Sequence, residues 1–244
     1  AIRARNDGYS AVLLWLEALN IDEVSASEHT RTHFKEDDWD SRNSRLVSID
    51  AIATKQFRID IDGSGRAHHN LSNLAGDLRP FVSIDGRPLY QVDVACSQPR
   101  FMHFVLRDEI ADKVEVARKE ELHNTGFYAE LNTKGIPVEP FKERFFADVL
   151  FGRGDYTNWV TKAFEAQFPS YAKAIALTKE KGYKQFAIAL QQAEARVIFD
   201  AVQRFVSATG GDVPVLTIHD SLVTWPEWTH TARDALEAAF YDLY

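Results

Sequence analysis

The residues best suited to chemistry are two aspartates that lie beside short apolar runs. Asp220 lies in the polar turn His219-Asp220-Ser221 between two such runs, and Asp93 lies near the end of a third, residues 89–94. Two carboxylates at neighbouring strand ends repel each other unless a divalent cation lies between them. Oxygen-only ligation suits Mg²⁺ or Mn²⁺, so the pattern predicts a metal site if the two aspartates meet. The alternative for each is an ordinary turn or capping role.

The elements around these aspartates predict a mixed fold. An Asp85-Gly86 turn indicates a hairpin with residues 89–94 as its second arm, helical patterns begin at Gln98, and a second hairpin carries the His-Asp-Ser turn before a final helix. This order is not a regular βαβ alternation. We therefore predict an α+β fold, an antiparallel sheet with strands from two distant segments and a helical block inserted between them, at about residues 110–181. That topology would bring Asp93 and Asp220 together.

The first part of the chain is predicted to be a separate accessory region. Residues 1–54 are expected to be mostly helical, and residues 55–244 to hold the sheet and its insertion. Residues 10–19 predict a helix capped by Ser10, and residues 28–34 indicate a second helix. Residues 46–54 fit either a helix or a strand, and residues 57–61 alternate as a strand does.

Composition limits the class of protein. The chain has 244 residues and is 45% hydrophobic, which is enough for a sizeable core, and no apolar run approaches the length of a membrane span. The start has no apolar signal region, and the single cysteine, Cys96, excludes a disulfide framework and a cysteine zinc cluster. We expect a protein of the reducing cytoplasm.

The charge pattern leaves the type of partner open. A net charge of −8 argues mildly against nucleic-acid binding, because phosphate contacts need lysine and arginine. Arginines nevertheless recur between residues 58 and 100, which predicts either a basic groove or a mixed solvated surface.

The two acidic motifs together resemble a known polymerase palm. Asp93-x-x-Cys96-Ser followed by His219-Asp220-Ser221 resembles the motifs of the single-subunit phage and mitochondrial RNA polymerases, whose palm is shared by the family A DNA polymerases related to bacterial DNA polymerase I. The resemblance implies a palm-type sheet and template-directed nucleotide addition to a primer end. The interval from Asp93 to Asp220 (220 − 93 = 127 residues) is short for that family, which predicts reduced fingers. It also implies that Asp93 and Asp220 bind Mg²⁺ or Mn²⁺, and that His219 supports the primer end or orients its neighbour. Its implied partners are a nucleic-acid primer-template and nucleoside triphosphates; no membrane partner is expected.

A basic helix matches the nucleotide-binding helix of that family in part. Lys142 and Arg144 precede Phe151-Gly152, where the family carries an arginine, a lysine and a Tyr-Gly pair. The resemblance implies that this helix clamps the triphosphate, for which cations are suited. The interval to the glycine is one residue longer than usual and phenylalanine replaces tyrosine. A solvated basic face is the alternative.

Three further residues are implied to contact nucleic acid. Gln191 lies in a helix that matches the family's glutamine helix, and Arg66 follows Gly65 as in the element that holds the primer-template backbone. Arg79 lies between that element and Asp93. The alternative for Gln191 is that it lies on the solvent-exposed face of an ordinary amphipathic helix.

Two other classes of function stay open at this point. One is a polymerase-like module that binds nucleic acid or a partner without catalysis, which the net negative charge favours. The other is a metal-dependent nuclease that uses the same two aspartates with water as the attacking group.

The sugar preference can be tested directly. The His-Asp-Ser turn favours an RNA polymerase, but Gln98, five residues after Asp93, is bulky enough to exclude a ribose 2′-hydroxyl where RNA polymerases have a small residue. We therefore expect deoxyribonucleotides to be incorporated in preference to ribonucleotides. Parallel primer-extension reactions with each set of nucleotides measure this, and a strong preference for ribonucleotides would contradict it.

Overall fold

The chain forms two compact units in a computed structural model that describes residues 9–35, 37–110, 115, 126–154 and 157–242. The first unit comprises Ala1–Val94 with Glu194–Tyr244, and the second comprises Ala95–Ala193. Helices and small antiparallel sheets confirm the predicted α+β class. The domain limits at residues 54 and 55 stay a prediction. Most of the helix expected after Ile110 lies outside the described residues.

The first unit contains all of the described strands. Its strands are β1 (Leu19–Ile21), β2 (Ile59–Ile61), β3 (Ala67–His69), β4 (Val82–Ile84), β5 (Arg87–Pro88), β6 (Tyr90–Asp93), β7 (Leu216–Ile218) and β8 (Ser221–Thr224). Its helices are α1 (Ser10–Ala18), α2 (Glu23–His33), α3 (Trp39–Ala53) and α10 (Thr229–Tyr241), and α9 (Gln185–Thr209) begins in the second unit and ends in the first.

The sheet that carries both aspartates has the strand order β6-β8-β7. β6 pairs antiparallel with β8 from Tyr90 opposite Thr224 to Asp93 opposite Ser221, and β7 pairs antiparallel with β8. Every residue of β7 and β8 is buried, as expected for short apolar strands at the centre of a core, and α10 packs against β6 and β8. This pairing confirms the prediction that one sheet takes strands from two distant segments.

One predicted hairpin is wrong in its second arm. The Asp85-Gly86 turn joins β4 to β5, but β5 ends at Pro88 and β6 then pairs with β8 in a different sheet. Proline has no N–H to donate to a ladder, which limits pairing at this position to an edge. The chain therefore changes sheets at Leu89, and Asp93 lies in the second sheet.

Two of the three N-terminal helices, α2 and α3, are longer than the sequence predicts. α2 begins at Glu23 because the side chain of Asp22 accepts a hydrogen bond from the Ser25 N–H at 3.1 Å, so the helix starts well before residue 28. Of the ambiguous residues 46–54, all but Thr54 belong to α3, so this stretch is a helix. α1 ends at Ala18 because Leu19 enters β1, which pairs with β4 and was not predicted.

The second unit is a helical block with an aromatic core. Its remaining helices are α4 (Ser97–Leu106), α5 (Phe127–Leu131), α6 (Val138–Phe145), α7 (Trp159–Gln167) and α8 (Pro169–Glu180). Phe127, Phe145, Phe164 and Phe168 are almost fully buried, and their ring centroids lie 5.5–5.7 Å apart in four pairs. Each such pair contributes about 0.5–1.5 kcal/mol beyond its buried area, so these rings hold α5, α6 and α7 together.

The helical stretch that carries Lys142 and Arg144 changes its hydrogen-bonding pattern at the end of α6. Phe146–Leu150 is a π-helical turn, a form that occurs mostly as single turns at functional sites. The buried ammonium group of Lys179 donates to the Val149 carbonyl at 2.7 Å, and burial lowers the pKa of Lys179 to about 8. A Cβ at Gly152 would lie 2.6 Å from the Ala147 carbonyl oxygen, so only glycine fits after this turn. The turn fixes the position of Phe151.

A buried histidine should make the stability of the first unit depend on pH. His69 is 1% exposed, and its Nε2 hydrogen-bonds the Thr217 hydroxyl at 3.3 Å while its Nδ1 accepts from the Ser72 N–H. Burial lowers the pKa of His69 to about 4. The unfolded chain binds a proton near pH 6.5, so this contribution is complete above that pH and is lost as the pH falls towards 4. We expect roughly 2–3 kcal/mol less free energy of unfolding at pH 4.5 than at pH 7 from this residue.

Urea unfolding at the two pH values measures the effect. His69→Gln should flatten the dependence in this range, whereas His230→Gln, at a histidine whose side chain is 84% exposed, should keep it. An unchanged slope in His69→Gln would contradict the assignment.

Candidate active site

The strand register brings the two predicted acids to the same end of the β6-β8-β7 sheet. Asp93, the last residue of β6, lies directly opposite Ser221, the first residue of β8, and Asp220 immediately precedes Ser221. Directly opposite residues of an antiparallel pair have Cβ atoms about 4.5–5.5 Å apart. Asp93 is exposed and Asp220 is half-buried. The fold thus places one exposed and one half-buried acid on adjoining positions of paired strands.

The turn between β7 and β8 has an unusual backbone. His219 and Asp220 form a two-residue connection, and His219 has φ of 50°. Left-handed φ is uncommon for residues other than glycine but is what short hairpin turns favour. The resulting tight turn leaves His219 exposed and places Asp220 at the tip of the hairpin.

Positive side chains gather around this turn. Partial burial lowers the pKa of His219, the nearby charge of Arg66 lowers it further, and Arg79 and His68 act in the same direction against the opposing charge of Asp220. Arg66, His68 and His219 also line one small cavity. This cationic cluster is formed by Arg66 and Arg79, with the imidazoles of His68 and His219 beside them, and it favours an anionic ligand such as a phosphate beside the carboxylates.

Arg66 is held firmly by the first unit. Its guanidinium donates to the Glu194 carboxylate of α9 at 2.7 Å, and the side chain of Glu194 is only 2% exposed. Gly65, with φ of 90°, lies where a Cβ would touch the Ala195 side chain at 3.4 Å, and the Tyr9 hydroxyl donates to the Gly65 carbonyl. The predicted Gly-Arg element is therefore packed against α9, with its charge partly neutralised by Glu194.

The turn between β2 and β3 contains a further acid that the sequence did not single out. Asp62 accepts hydrogen bonds from the Ser64 hydroxyl at 2.5 Å, the Arg66 N–H at 3.2 Å and His68 Nε2 at 2.9 Å. Burial raises the pKa of Asp62, but the hydrogen bonds from Ser64 and His68 outweigh it and hold the pKa below its usual range. The carboxylate thereby fixes both the loop that carries Arg66 and the orientation of His68. The Asp62-Gly-Ser-Gly loop sequence was the available signal.

Arg79 is also engaged within the protein. Its Nε donates to the Leu74 carbonyl at 3.4 Å and its Nη1 donates to Gln91 Oε1 at 3.2 Å, while Gln91 Nε2 donates to the Ser221 hydroxyl at 2.8 Å. Sequence reasoning missed Gln91. It lies two residues before Asp93 on the same face of β6, which was the signal available.

The predicted nucleotide-binding residues lie in the second unit. Lys142 is half-buried and Arg144 is exposed, and two residues apart on α6 they do not share a face. Burial raises the pKa of Cys96, and the charges of Arg100 and Lys142 oppose this, which indicates that both cations lie near Cys96.

Two more predicted residues can be placed on their elements. Gln98 is buried on α4, and Phe151 is 37% exposed just after the π-helical turn. Gln191 is half-buried on α9 and lies three residues before Glu194, so the two share a face of that helix.

The two carboxylates suit a hard cation to which the protein supplies only a few ligands. Within the part of the chain that the structure describes, no group of three or more His, Cys, Asp or Glu side chains could hold a metal ion. Asp93 and Asp220 supply two carboxylates. Mg²⁺ is usually bound through one or two carboxylates, with waters and substrate phosphates completing its shell, so this pair fits Mg²⁺ better than a metal that needs an all-protein cage.

Comparison with known proteins shows a polymerase-like fold. The fold resembles the POL domain of Pol1 from M. smegmatis, solved as a complex with DNA primer-template and dNTP, with a TM-score of 0.54 and 13% sequence identity over 85% of this chain. The chain covers 49% of that structure. No protein-family model and no curated protein matches the sequence. None of the helices that the structure describes is long and apolar enough to cross a membrane.

The ion pair between Arg66 and Glu194 should be important for stability. Removing one partner of a buried pair leaves an uncompensated charge and costs about 3–5 kcal/mol. We expect Glu194→Gln to lower the free energy of unfolding by about 3 kcal/mol, measured by urea denaturation.

Asp200→Asn is a matched control. It removes an acid of the same helix whose side chain is 43% exposed in its pair with Arg204. An exposed pair of this kind contributes little to stability, so the loss in Asp200→Asn should be much smaller. Equal losses in the two variants would show that burial does not set the strength of the Glu194 pair.

Proposed function

We propose that this chain is a template-directed nucleotidyltransferase that extends a nucleic-acid 3′ end with nucleoside triphosphates, with DNA favoured over RNA as product. The observation that carries the proposal is the pairing of Asp93 with Ser221, which places two acids at one end of a sheet built from distant segments. The polymerase-like fold supports the same class of reaction.

Asp93 and Asp220 are the proposed ligands of two divalent cations, Mg²⁺ or Mn²⁺. Bound there, such ions would activate the attacking 3′-hydroxyl and stabilise the leaving pyrophosphate. The chain's own contribution is to hold the two carboxylates at fixed positions of paired strands. The tight turn at His219 orients Asp220, and the burial of β7 and β8 keeps that turn in place.

The cationic cluster is the proposed binding surface for the nucleic-acid backbone. Arg66, Arg79 and His219 have roles implied by the polymerase motifs, and the charges of the two arginines act at His219, in the turn that bears Asp220. Contacts of this kind position a strand by its phosphates and carry no sequence information. Gln191 is proposed to contact the same nucleic acid from α9.

The second unit is proposed to bind the incoming nucleotide. Lys142 is the favoured triphosphate contact because its charge acts at Cys96, three residues after Asp93, and Arg144 is the second candidate. Phe151 is proposed to lie against the nucleotide and Gln98 to exclude the ribose 2′-hydroxyl.

Loss of either acid should abolish extension. Asp93→Asn and Asp220→Asn each remove a charged metal ligand while keeping the size of the side chain, so we expect extension of a primer-template with Mg²⁺ and nucleotides to fall by more than about 100-fold. Asp60→Asn is the control, because Asp60 is an exposed aspartate of β2. Gel-resolved extension measures the rates.

The same assay distinguishes the other classes of function. Cleavage of the strand instead of extension would identify a nuclease, and binding without either reaction would identify a non-catalytic module. Extension that survives both substitutions would overturn the assignment of Asp93 and Asp220.

A further inference from the structure

A chain of three polar side chains ends beside Asp93. The Arg79 guanidinium donates to the Gln91 amide oxygen at 3.2 Å, and the Gln91 amide nitrogen donates to the Ser221 hydroxyl at 2.8 Å. A second bond from Arg79, to the Leu74 carbonyl at 3.4 Å, fixes the start of the chain. All of these residues belong to the first unit.

The direction of these hydrogen bonds is determined by chemistry. A guanidinium can only donate, so the side of the Gln91 amide that faces Arg79 must be its oxygen. The amide nitrogen must then face Ser221, and the Ser221 oxygen must accept. The hydroxyl hydrogen of Ser221 is therefore not used in this bond and is available to another acceptor.

The free hydroxyl hydrogen of Ser221 and the carboxylate of Asp93 belong to residues that lie directly opposite each other on paired strands. Ser221 is fully buried, and among the described residues its hydroxyl has no other hydrogen bond. A buried hydroxyl normally finds partners for its polar atoms. Asp93 lies directly opposite Ser221, and in the same part of the chain no hydrogen bond to its carboxylate is present. With Cβ atoms about 4.5–5.5 Å apart, a rotation of the side chains brings the two groups within hydrogen-bond reach without a backbone movement.

We propose that Arg79, Gln91 and Ser221 form a relay that positions Asp93 when a divalent cation binds. The relay orients the Ser221 hydroxyl so that it donates to the Asp93 carboxylate and selects one rotamer of that carboxylate for the metal. Gln91 and Ser221 are positioning residues in this reaction. The inference depends on the proposed metal site at Asp93 and Asp220.

The relay gives Ser221 a role that an acid could not fill. A carboxylate at this position would add a third negative charge to the site. A hydroxyl bound by Gln91 adds no charge and supplies a donor instead. A carboxylate ligand whose orientation is set by such an outer partner binds metal more tightly, and removal of the partner typically weakens affinity 10–100-fold.

Direct metal binding tests the relay without relying on activity. Free Mn²⁺ is measured by electron paramagnetic resonance as the protein is titrated without nucleic acid or nucleotides, for the native chain, Ser221→Ala, Gln91→Leu and the double variant. We expect Ser221→Ala to weaken Mn²⁺ binding on the order of tenfold. Gln91→Leu should weaken it by no more than that, and the double variant should match Ser221→Ala, because Gln91 acts only through the Ser221 hydroxyl, which Ser221→Ala already removes.

Thr224→Val is the matched control. Thr224 lies on the same strand, is fully buried, and has a hydroxyl without a hydrogen-bond partner among the described residues. Its removal should leave Mn²⁺ affinity unchanged. Thermal unfolding of each variant checks folding, and Gln91→Leu carries the test if Ser221→Ala does not fold, because Gln91 is exposed.

The outcomes separate the relay from the metal site. Affinity in Ser221→Ala equal to that in Thr224→Val, or losses that multiply in the double variant, would overturn the relay while the metal site stands. Mn²⁺ binding that is absent from the native chain, or unchanged in Asp93→Asn, would overturn the metal site itself and the relay with it.

Discussion

The pairing of β6 with β8 is the constraint on which the rest of the structure depends. It joins residues about 130 positions apart in sequence, as the bond between Gln91 and Ser221 shows. Closing so long a loop costs only slightly more than closing a loop of half the length, since the entropic cost grows with the logarithm of loop length. The burial of every residue of β7 and β8 contributes hydrophobic free energy that offsets this entropic cost. The helical unit can therefore be inserted between the strands while the register that opposes Asp93 and Ser221 is kept.

The cations near this register are not freely solvated. Arg66 is paired with buried Glu194, and Arg79 is bonded to Leu74 and Gln91. Side chains held in this way lose less conformational freedom on binding a phosphate than mobile lysines would. The net charge of −8 is consequently a poor guide to this surface, because a few fixed cations at one turn determine the local field.

The sequence was informative where local chemistry decides the structure and less so where tertiary contacts decide it. The strands around Asp93 and Asp220 follow from short apolar runs and turn residues. The sheet change at Leu89 does not, because Pro88 permits a hairpin but β8 supplies the partner for β6.

Hydrogen-bond partners were the least accessible feature. Arg79 was expected to face nucleic acid, and nothing in its neighbours along the chain indicates its bond to Gln91. α2 was underestimated because few apolar residues mark it. It is held by its Asp22 cap and by Asp77, which binds His29 and Arg45 from α2 and α3 at 3.3 and 3.2 Å. Because such contacts depend on the tertiary fold, they leave little periodic pattern in the sequence.

The change of sheets at Leu89 has a mechanical consequence. β4 and β5 belong to the sheet that receives β1 from the N-terminal helices, and a single residue separates β5 from β6. Because β1 pairs with β4 and only Leu89 separates β5 from β6, a displacement of β1 would be transmitted to β6 over a short stretch of chain. The helices that flank β1 are therefore connected to the strand that bears Asp93 by one small sheet and one residue of chain.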